Sequence, residues 1–169
     1  MPHRRPRYLT SLFSTSTKLS PLVGILGHRQ VGKSTFLEMH CNNYFAVDKP
    51  SEIAQAQSDP EQYLKQRAGQ LIALDEIQSV PVLFSELKEW VRKHKMPGQF
   101  ILSGSVRFTS REAIKESLTG RIVNLELLPM TISEQEQIPL SSMLLKALES
   151  NSVDRFCLDN PIESARISR

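Results

Sequence analysis

Short apolar runs alternate with amphipathic stretches over residues 21–127 of this chain. The runs have the length and composition of buried β-strands: PLVGIL (21–26), YFAV (44–47), QLIALDE (70–76), FILSGS (100–105) and IVNLEL (122–127). Strands that are separated by helices usually form mostly parallel sheets with helices on both faces. The pattern therefore predicts a single α/β domain.

Helical periodicity is found between these runs. The clearest helix follows Pro81, where apolar residues recur at i, i+1, i+4, i+7 and i+8: Leu83, Phe84, Leu87, Trp90 and Val91. Trp90 is therefore predicted to lie in the core. The sequence predicts further helices at residues 33–41, 60–68 and 111–118.

The pattern weakens beyond Pro129. The segment TISEQEQI predicts a helix with Ser133 as N-cap and Glu136 three positions later, which is the capping-box arrangement. Residues 140–148 predict another helix, whereas residues 150–169 have no clear periodicity. We therefore expect the core domain to span residues 21–136 and an irregular extension to span residues 137–169.

The first 20 residues differ in charge from the rest of the chain. The whole chain has 169 residues and a net charge of +3. Four basic residues and no acidic residue give the first 20 positions a charge of +4: Arg4, Arg5, Arg7 and Lys18. Pro2 and Pro6 interrupt the amphipathic helix of a transit peptide, so we expect a tail or short helix at residues 1–20. Because residues 21–169 carry a net charge of −1, the charge argues against nucleic-acid binding other than through this basic tail.

The two cysteines do not indicate a metal site or a disulfide framework. Cys41 and Cys157 are far apart and lack CxxC or Cys/His spacing. No apolar run approaches the 18 residues of a membrane span. These features favour a cytoplasmic protein that does not enter a membrane.

Residues 27–34 read GHRQVGKS and match the pattern G-x-x-x-x-G-K-[ST]. We call this segment the P-loop. Its glycines allow a tight turn around phosphate, Lys33 would contact the β- and γ-phosphates, and Ser34 would bind Mg²⁺. The predicted nucleotide-binding residues are Gly27, His28, Arg29, Gln30, Val31, Gly32, Lys33, Ser34 and Thr35.

Two adjacent acids end the third apolar run. A P-loop enzyme needs a carboxylate for its metal at the end of a neighbouring strand, and Asp75 has that position. Glu76 could then activate a water molecule. The pair favours ATP hydrolysis, although two solvated acids at a strand end are the simpler alternative.

Further motifs extend the pattern beyond the P-loop. These are RYL near the start, VDKP, LDEIQ, ILSGSVRF, ESLTGRI and LLPMTISE. In this order they resemble a family of prokaryotic AAA+ ATPases over about residues 7–136. The resemblance implies a P-loop three-layer sandwich with a five-stranded, mainly parallel sheet. In that sheet, the strand that ends at Ser103 would separate the strand of Asp75 from the strand of the P-loop.

The resemblance also implies two further catalytic positions. Ser103 or Ser105 would detect the γ-phosphate, although SGS is also an ordinary turn. Arg121, or else Arg107, would stabilise developing negative charge, often in a neighbouring subunit of a homo-oligomer. A surface or interface role is the alternative for Arg121.

Three functions remain open at this stage. The first is Mg²⁺-dependent hydrolysis of ATP to ADP and phosphate. Members of the family usually continue past residue 136 into lid helices and another domain, whereas this chain stops at Arg169. A truncated core that binds nucleotide without turnover is therefore the second. For either function, a homo-oligomer or an unidentified protein partner stays open. A small P-loop kinase is the third, and the adjacent Asp75 and Glu76 argue against it.

Overall fold

Five parallel strands form the central sheet of this protein. The computed structural model describes residues 5–104 and 118–137. Its strands are β1 (Leu22–Leu26), β2 (Asn43–Ala46), β3 (Ile72–Asp75), β4 (Phe100–Gly104) and β5 (Ile122–Glu126). Their spatial order is β2-β3-β4-β1-β5, and every neighbouring pair is parallel. The predicted sheet is confirmed, and so is the position of β4 between β3 and β1.

One helix precedes β1, and the others lie in the connections between strands β1 to β4. These helices are α1 (Leu9–Leu19), α2 (Lys33–His40), α3 (Pro50–Ser58), α4 (Pro60–Arg67) and α5 (Val82–Lys93). A 3₁₀ turn spans Ile77–Ser79. None of the helices in the described ranges is long and apolar enough to cross a membrane.

The two faces of the sheet carry separate apolar clusters. In β1, Leu22 belongs to the cluster that includes Trp90 of α5, whereas Val23 and Ile25 belong to the cluster that includes Phe36 of α2. This division follows from the alternation of side chains along a strand. Helices α1 and α2 cover one face, and helices α3, α4 and α5 cover the other, which gives a three-layer sandwich.

Helix α3 was not anticipated in the sequence. It begins at Pro50, which suits the first turn of a helix, but Ala56 is its one buried residue and Ile53 is partly buried. The apolar stripe is therefore too narrow to stand out as helical periodicity. In contrast, α4 has the expected start, because the Asp59 side chain accepts a hydrogen bond from the Gln62 amide at 2.9 Å.

The predicted capping box was placed two residues too late. A second compact unit begins at Thr131, and the structure describes its residues 131–137, which include the short helix α6 (Ile132–Gln135). Thr131 Oγ1 accepts from the Glu134 amide at 3.1 Å, and Glu134 Oε2 accepts from the Thr131 amide at 2.9 Å. Thr131 therefore takes the role predicted for Ser133, since both positions have a glutamate three residues later. Residues 111–117 and 140–148, where helices were predicted, lie outside the described ranges.

Replacing Leu102 with alanine should lower the free energy of unfolding by about 2–5 kcal/mol, because the side chain is fully buried in the middle strand of the sheet. Denaturant unfolding can be followed by the fluorescence of Trp90, the one tryptophan in the sequence. Val82→Ala is the control, since Val82 is 43% exposed and should cost less than about 0.5 kcal/mol. Equal effects of both substitutions would contradict the assignment of Leu102 to the core.

Candidate functional site

The P-loop connects the end of β1 with the start of α2. A Cβ atom on Gly27 would collide with the carbonyl oxygen of Leu127, so only glycine fits there. Gly32 has a φ of 95°, in the left-handed region that favours glycine. The next residue begins α2, and the first amides of a helix have no carbonyl partner within that helix. The loop therefore leads directly to a helix end that suits an anion.

The Lys33 ammonium group is enclosed by the loop that precedes it. Its Nζ atom donates to the carbonyl oxygens of Gly27 at 3.0 Å and His28 at 2.9 Å. The residue is only 6% exposed. A buried cation needs such polar partners. These bonds hold the ammonium beside the loop backbone, where phosphate oxygens could replace one or both carbonyls.

Three elements hold the Asp75 carboxylate at the end of β3. Its Oδ2 atom accepts hydrogen bonds from Ser34 Oγ of α2 and Tyr44 Oη of β2, both at 2.6 Å. Its Oδ1 atom accepts from the Glu76 amide at 3.0 Å. Asp75 is 2% exposed, and these donors compensate for the loss of water around its charge. The sequence prediction of Ser34 and Asp75 as one pair is consistent with this geometry.

Tyr44 is a site residue that sequence reasoning missed. The sequence had no direct signal for it, because its proximity to Asp75 depends on the parallel register in which Ala46 of β2 lies opposite Asp75. Burial raises the pKa of the Tyr44 phenol, and its hydrogen bond to Asp75 raises it further. The phenol therefore stays protonated at neutral pH and remains a donor to the carboxylate.

Glu76 leaves the strand in an unusual backbone conformation. Its φ of 53° and ψ of 39° are left-handed, and the 3₁₀ turn follows immediately. Ile77 of that turn is fully buried, which anchors the segment in the core. The Glu76 carboxylate accepts a hydrogen bond from the Gln78 side-chain amide. A left-handed backbone is strained for a residue with a side chain, and such strain persists only where surrounding contacts impose it.

Ser103 lies beside Asp75 in the sheet. It pairs with Ile25 of β1. Leu74 pairs with Leu102, so Asp75 and Ser103 are the next residues on adjacent strands. The Ser103 side chain is fully buried, and its Oγ atom has no hydrogen-bond partner in the part of the chain that the structure describes. An unpaired buried hydroxyl has a free-energy cost that a polar ligand would remove.

Arg121 lies at the amino ends of the strands, whereas the P-loop lies at their carboxyl ends. It precedes Ile122, which pairs with Leu22 at the start of β1, whereas the P-loop follows the end of β1. Its guanidinium donates to the Thr119 carbonyl of the same turn at 3.4 Å. The structure therefore does not bring Arg121 to the P-loop of its own chain. A role at the site of a neighbouring subunit stays a prediction.

Two of the alternative site residues cannot be placed. Ser105 was the alternative to Ser103, and Arg107 was the alternative to Arg121. Both lie outside the described ranges, so their roles stay predictions.

Two cavities adjoin the P-loop. The larger, of about 670 Å³, is lined by Arg29, Gln30, Gly32, Lys33, Ser34, Thr35 and Glu76. The other, of about 380 Å³, combines arginines with apolar side chains, among them Arg5, Arg7, Arg29, Phe36, Met39 and Pro129. Both volumes lie in the range of small-molecule sites. A polar cavity beside a partly apolar one suits a ligand with one charged end and one ring system.

The donor set at Asp75 fits Mg²⁺. Hard cations prefer carboxylate and hydroxyl oxygens, and Mg²⁺ usually retains several waters, so one or two protein ligands suffice. Ser34 Oγ and Asp75 Oδ2 are such oxygens and lie 2.6 Å apart. Among the described residues, no cluster of three or more His, Cys, Asp or Glu side chains could form a cage for a metal.

Comparison with known proteins identifies relatives of this chain. A family model described as an AAA domain matches residues 19–136. An uncharacterized protein of Mycobacterium bovis and one of Mycobacterium tuberculosis are each 32% identical to this chain over 121 residues. The alignments cover 68% of this chain and 26% of each relative. This chain therefore spans about a quarter of the length of these curated relatives.

Replacing Tyr44 with phenylalanine should lower the free energy of unfolding by about 1.5 kcal/mol, because a buried carboxylate loses a hydrogen-bond donor. Denaturant unfolding in buffer with a chelator measures this effect. Tyr63→Phe is a matched variant, because it also removes a hydrogen bond from a tyrosine to a carboxylate. Tyr63 Oη donates to Glu52 Oε2 at 2.7 Å on the other face of the sheet. Full stability of the Tyr44 variant would contradict the role given to this contact.

Proposed function

Because this chain belongs to the AAA domain family, we propose that it binds ATP with Mg²⁺ and hydrolyses it to ADP and phosphate. Membership in the family implies nucleotide binding and suggests an ATPase-like function. The proposal depends most on one observation, which is that Lys33, Ser34 and Glu76 line one cavity while Asp75 binds Ser34. Phosphate binding, metal binding and water activation need these four groups.

In the proposed complex, the P-loop binds the β- and γ-phosphates. Lys33 Nζ turns from the carbonyls of Gly27 and His28 towards the phosphate oxygens. The amino end of α2 adds unpaired amides and a positive partial charge. The nucleoside would then lie in the cavity of about 380 Å³, where Phe36 and Met39 supply apolar surface.

Ser34 and Asp75 would hold Mg²⁺, which supplies positive charge to the phosphates when it is bound. The short contact between the two side chains already brings both oxygens together. Tyr44 holds the Asp75 carboxylate in one orientation through its hydroxyl group. Side chains that are already held in place lose little conformational freedom when they bind a metal ion.

In the proposed reaction, Glu76 accepts a proton from the attacking water. The water oxygen forms a bond to the γ-phosphorus, and the bond between that phosphorus and the β–γ bridging oxygen breaks. ADP leaves with the bridging oxygen. Ser103 would donate its unpaired hydroxyl to a γ-phosphate oxygen, which would satisfy a group that is otherwise buried without a partner in the described structure.

Replacing Lys33 with alanine should abolish nucleotide binding, because the variant loses the cation of the P-loop. In the unmodified chain, ATP at about 100 times its Kd adds about 2.7 kcal/mol to the free energy of unfolding, which raises Tm by about 5–10 °C. A thermal-shift titration measures this rise. Lys49→Ala is the control, since Lys49 is exposed and lies outside the P-loop. A full shift in the Lys33 variant would contradict the proposed site.

Replacing Glu76 with glutamine should reduce phosphate release at least about 100-fold, because the amide cannot accept the water proton. ATP binding should persist, since the P-loop and Asp75 are unchanged. Colorimetric phosphate release and the thermal shift test both parts. Glu38→Gln, an exposed change on α2, should leave both unchanged. Phosphate release from the Glu76 variant at the rate of the unmodified chain would overturn its role as the base.

One contact favours a second function, which is nucleotide binding without turnover. The Gln78 amide donates to a carboxylate oxygen of Glu76, and the water needs that carboxylate as its proton acceptor. If the contact persists with ATP bound, the chain would show the thermal shift while phosphate release stays at background. The two measurements above therefore separate the two functions.

A further inference from the structure

We infer that Arg7 is a positioning residue that holds the P-loop in its nucleotide-binding conformation. The inference rests on the proposed function of that loop. It concerns a residue that precedes the region matched by the family model, residues 19–136. Arg7 lies just before α1, in the segment for which the sequence predicted a basic tail or short helix.

The Arg7 guanidinium joins two chain segments that are far apart in sequence. Its Nη1 atom donates to the Val31 carbonyl of the P-loop at 3.0 Å, and its Nη2 atom donates to the Leu128 carbonyl at 2.6 Å. Arg7 is only 8% exposed. A planar guanidinium has donors in a fixed fork, so one side chain can hold two carbonyls at once. Charged donors also make stronger bonds than neutral ones.

The contact with Val31 lies where the P-loop backbone most needs a restraint. Gln30 has a φ of 66° and Gly32 a φ of 95°, so both neighbours of Val31 are left-handed. That conformation is costly for a residue with a side chain. In a planar trans peptide the carbonyl and the next amide point in opposite directions. The bond to Val31 therefore also fixes the Gly32 amide, which is directed away from Arg7.

The contact with Leu128 connects this restraint to the sheet. Strand β5 ends at Glu126, two residues before Leu128, and the Leu127 amide donates to the Leu26 carbonyl of β1 at 2.7 Å. The Leu127 carbonyl lies directly against Gly27 at the start of the P-loop. The segment after β5 thus restrains the first residue of the loop by close packing. Arg7 attaches a later residue of the loop to the same segment.

The test compares Arg7→Met with the unmodified chain of 169 residues. We expect about tenfold weaker binding of both ATP and inorganic tripolyphosphate by isothermal titration calorimetry, a change of about 1.4 kcal/mol. Tripolyphosphate has no nucleoside, so it separates an effect on the loop from a contact in the neighbouring cavity. Arg7→Lys keeps the charge but not the fork, and should weaken binding in the same direction.

Arg67→Met controls for a general loss of stability. Arg67 is also a largely buried arginine, and it donates to the Glu52 carboxylate at 3.0 Å and the Tyr63 carbonyl at 3.3 Å. It packs among the helices on the other face of the sheet. The Arg67 variant should lose stability while its affinities for ATP and tripolyphosphate stay the same.

Backbone order parameters from NMR relaxation, measured without nucleotide, test the inference independently of binding. In the Arg7→Met variant the order parameters of the amides of residues 28–32 should fall below about 0.6, lower than in the unmodified chain, while those of β4 stay near about 0.85. Lower loop values in a chain that binds neither ligand would support the role of Arg7 and contradict the proposed function. Unchanged order parameters in the loop would overturn the inference. So would full tripolyphosphate affinity in the Arg7→Met or Arg7→Lys variant.

Discussion

The parallel order β3-β4-β1 is the constraint on which the rest of the site depends. In a parallel sheet the carboxyl ends of all strands lie at the same end of the sheet, so residues that are far apart in sequence become neighbours there. Asp75 ends β3, Ser103 lies near the end of β4, and the P-loop follows β1. Each strand has a different connection before it, yet the pairing fixes their relative positions. Any change in register would separate these groups.

The candidate site contains two buried side chains of opposite charge. Lys33 and Asp75 are both almost fully buried, and each is compensated by hydrogen bonds from neighbouring elements. Burial of a charge is costly unless it is paired and bonded. These hydrogen bonds hold both side chains in place within the candidate site. The Ser103 hydroxyl, in contrast, is unpaired within the described structure.

The elements with a strong local signal could be predicted from the sequence. The five apolar runs became strands, and the Gly27–Ser34 pattern together with Asp75 indicated the candidate site. Tyr44 could not be found in this way, because its contact with Asp75 depends on the pairing of β2 with β3. Helix α3 was missed because it buries so little apolar surface. For Arg7, sequence reasoning noted the charge and the RYL motif but not the two carbonyls that the side chain binds.

The most direct measurement is a crystal structure with Mg²⁺ and a non-hydrolysable ATP analogue. The β- and γ-phosphates should lie within residues 27–34, and Lys33 Nζ should contact them in place of at least one of its present carbonyl partners. Mg²⁺ should lie next to Ser34 and Asp75. An analogue bound elsewhere, or a Lys33 that keeps both carbonyl contacts and touches no phosphate, would contradict the account.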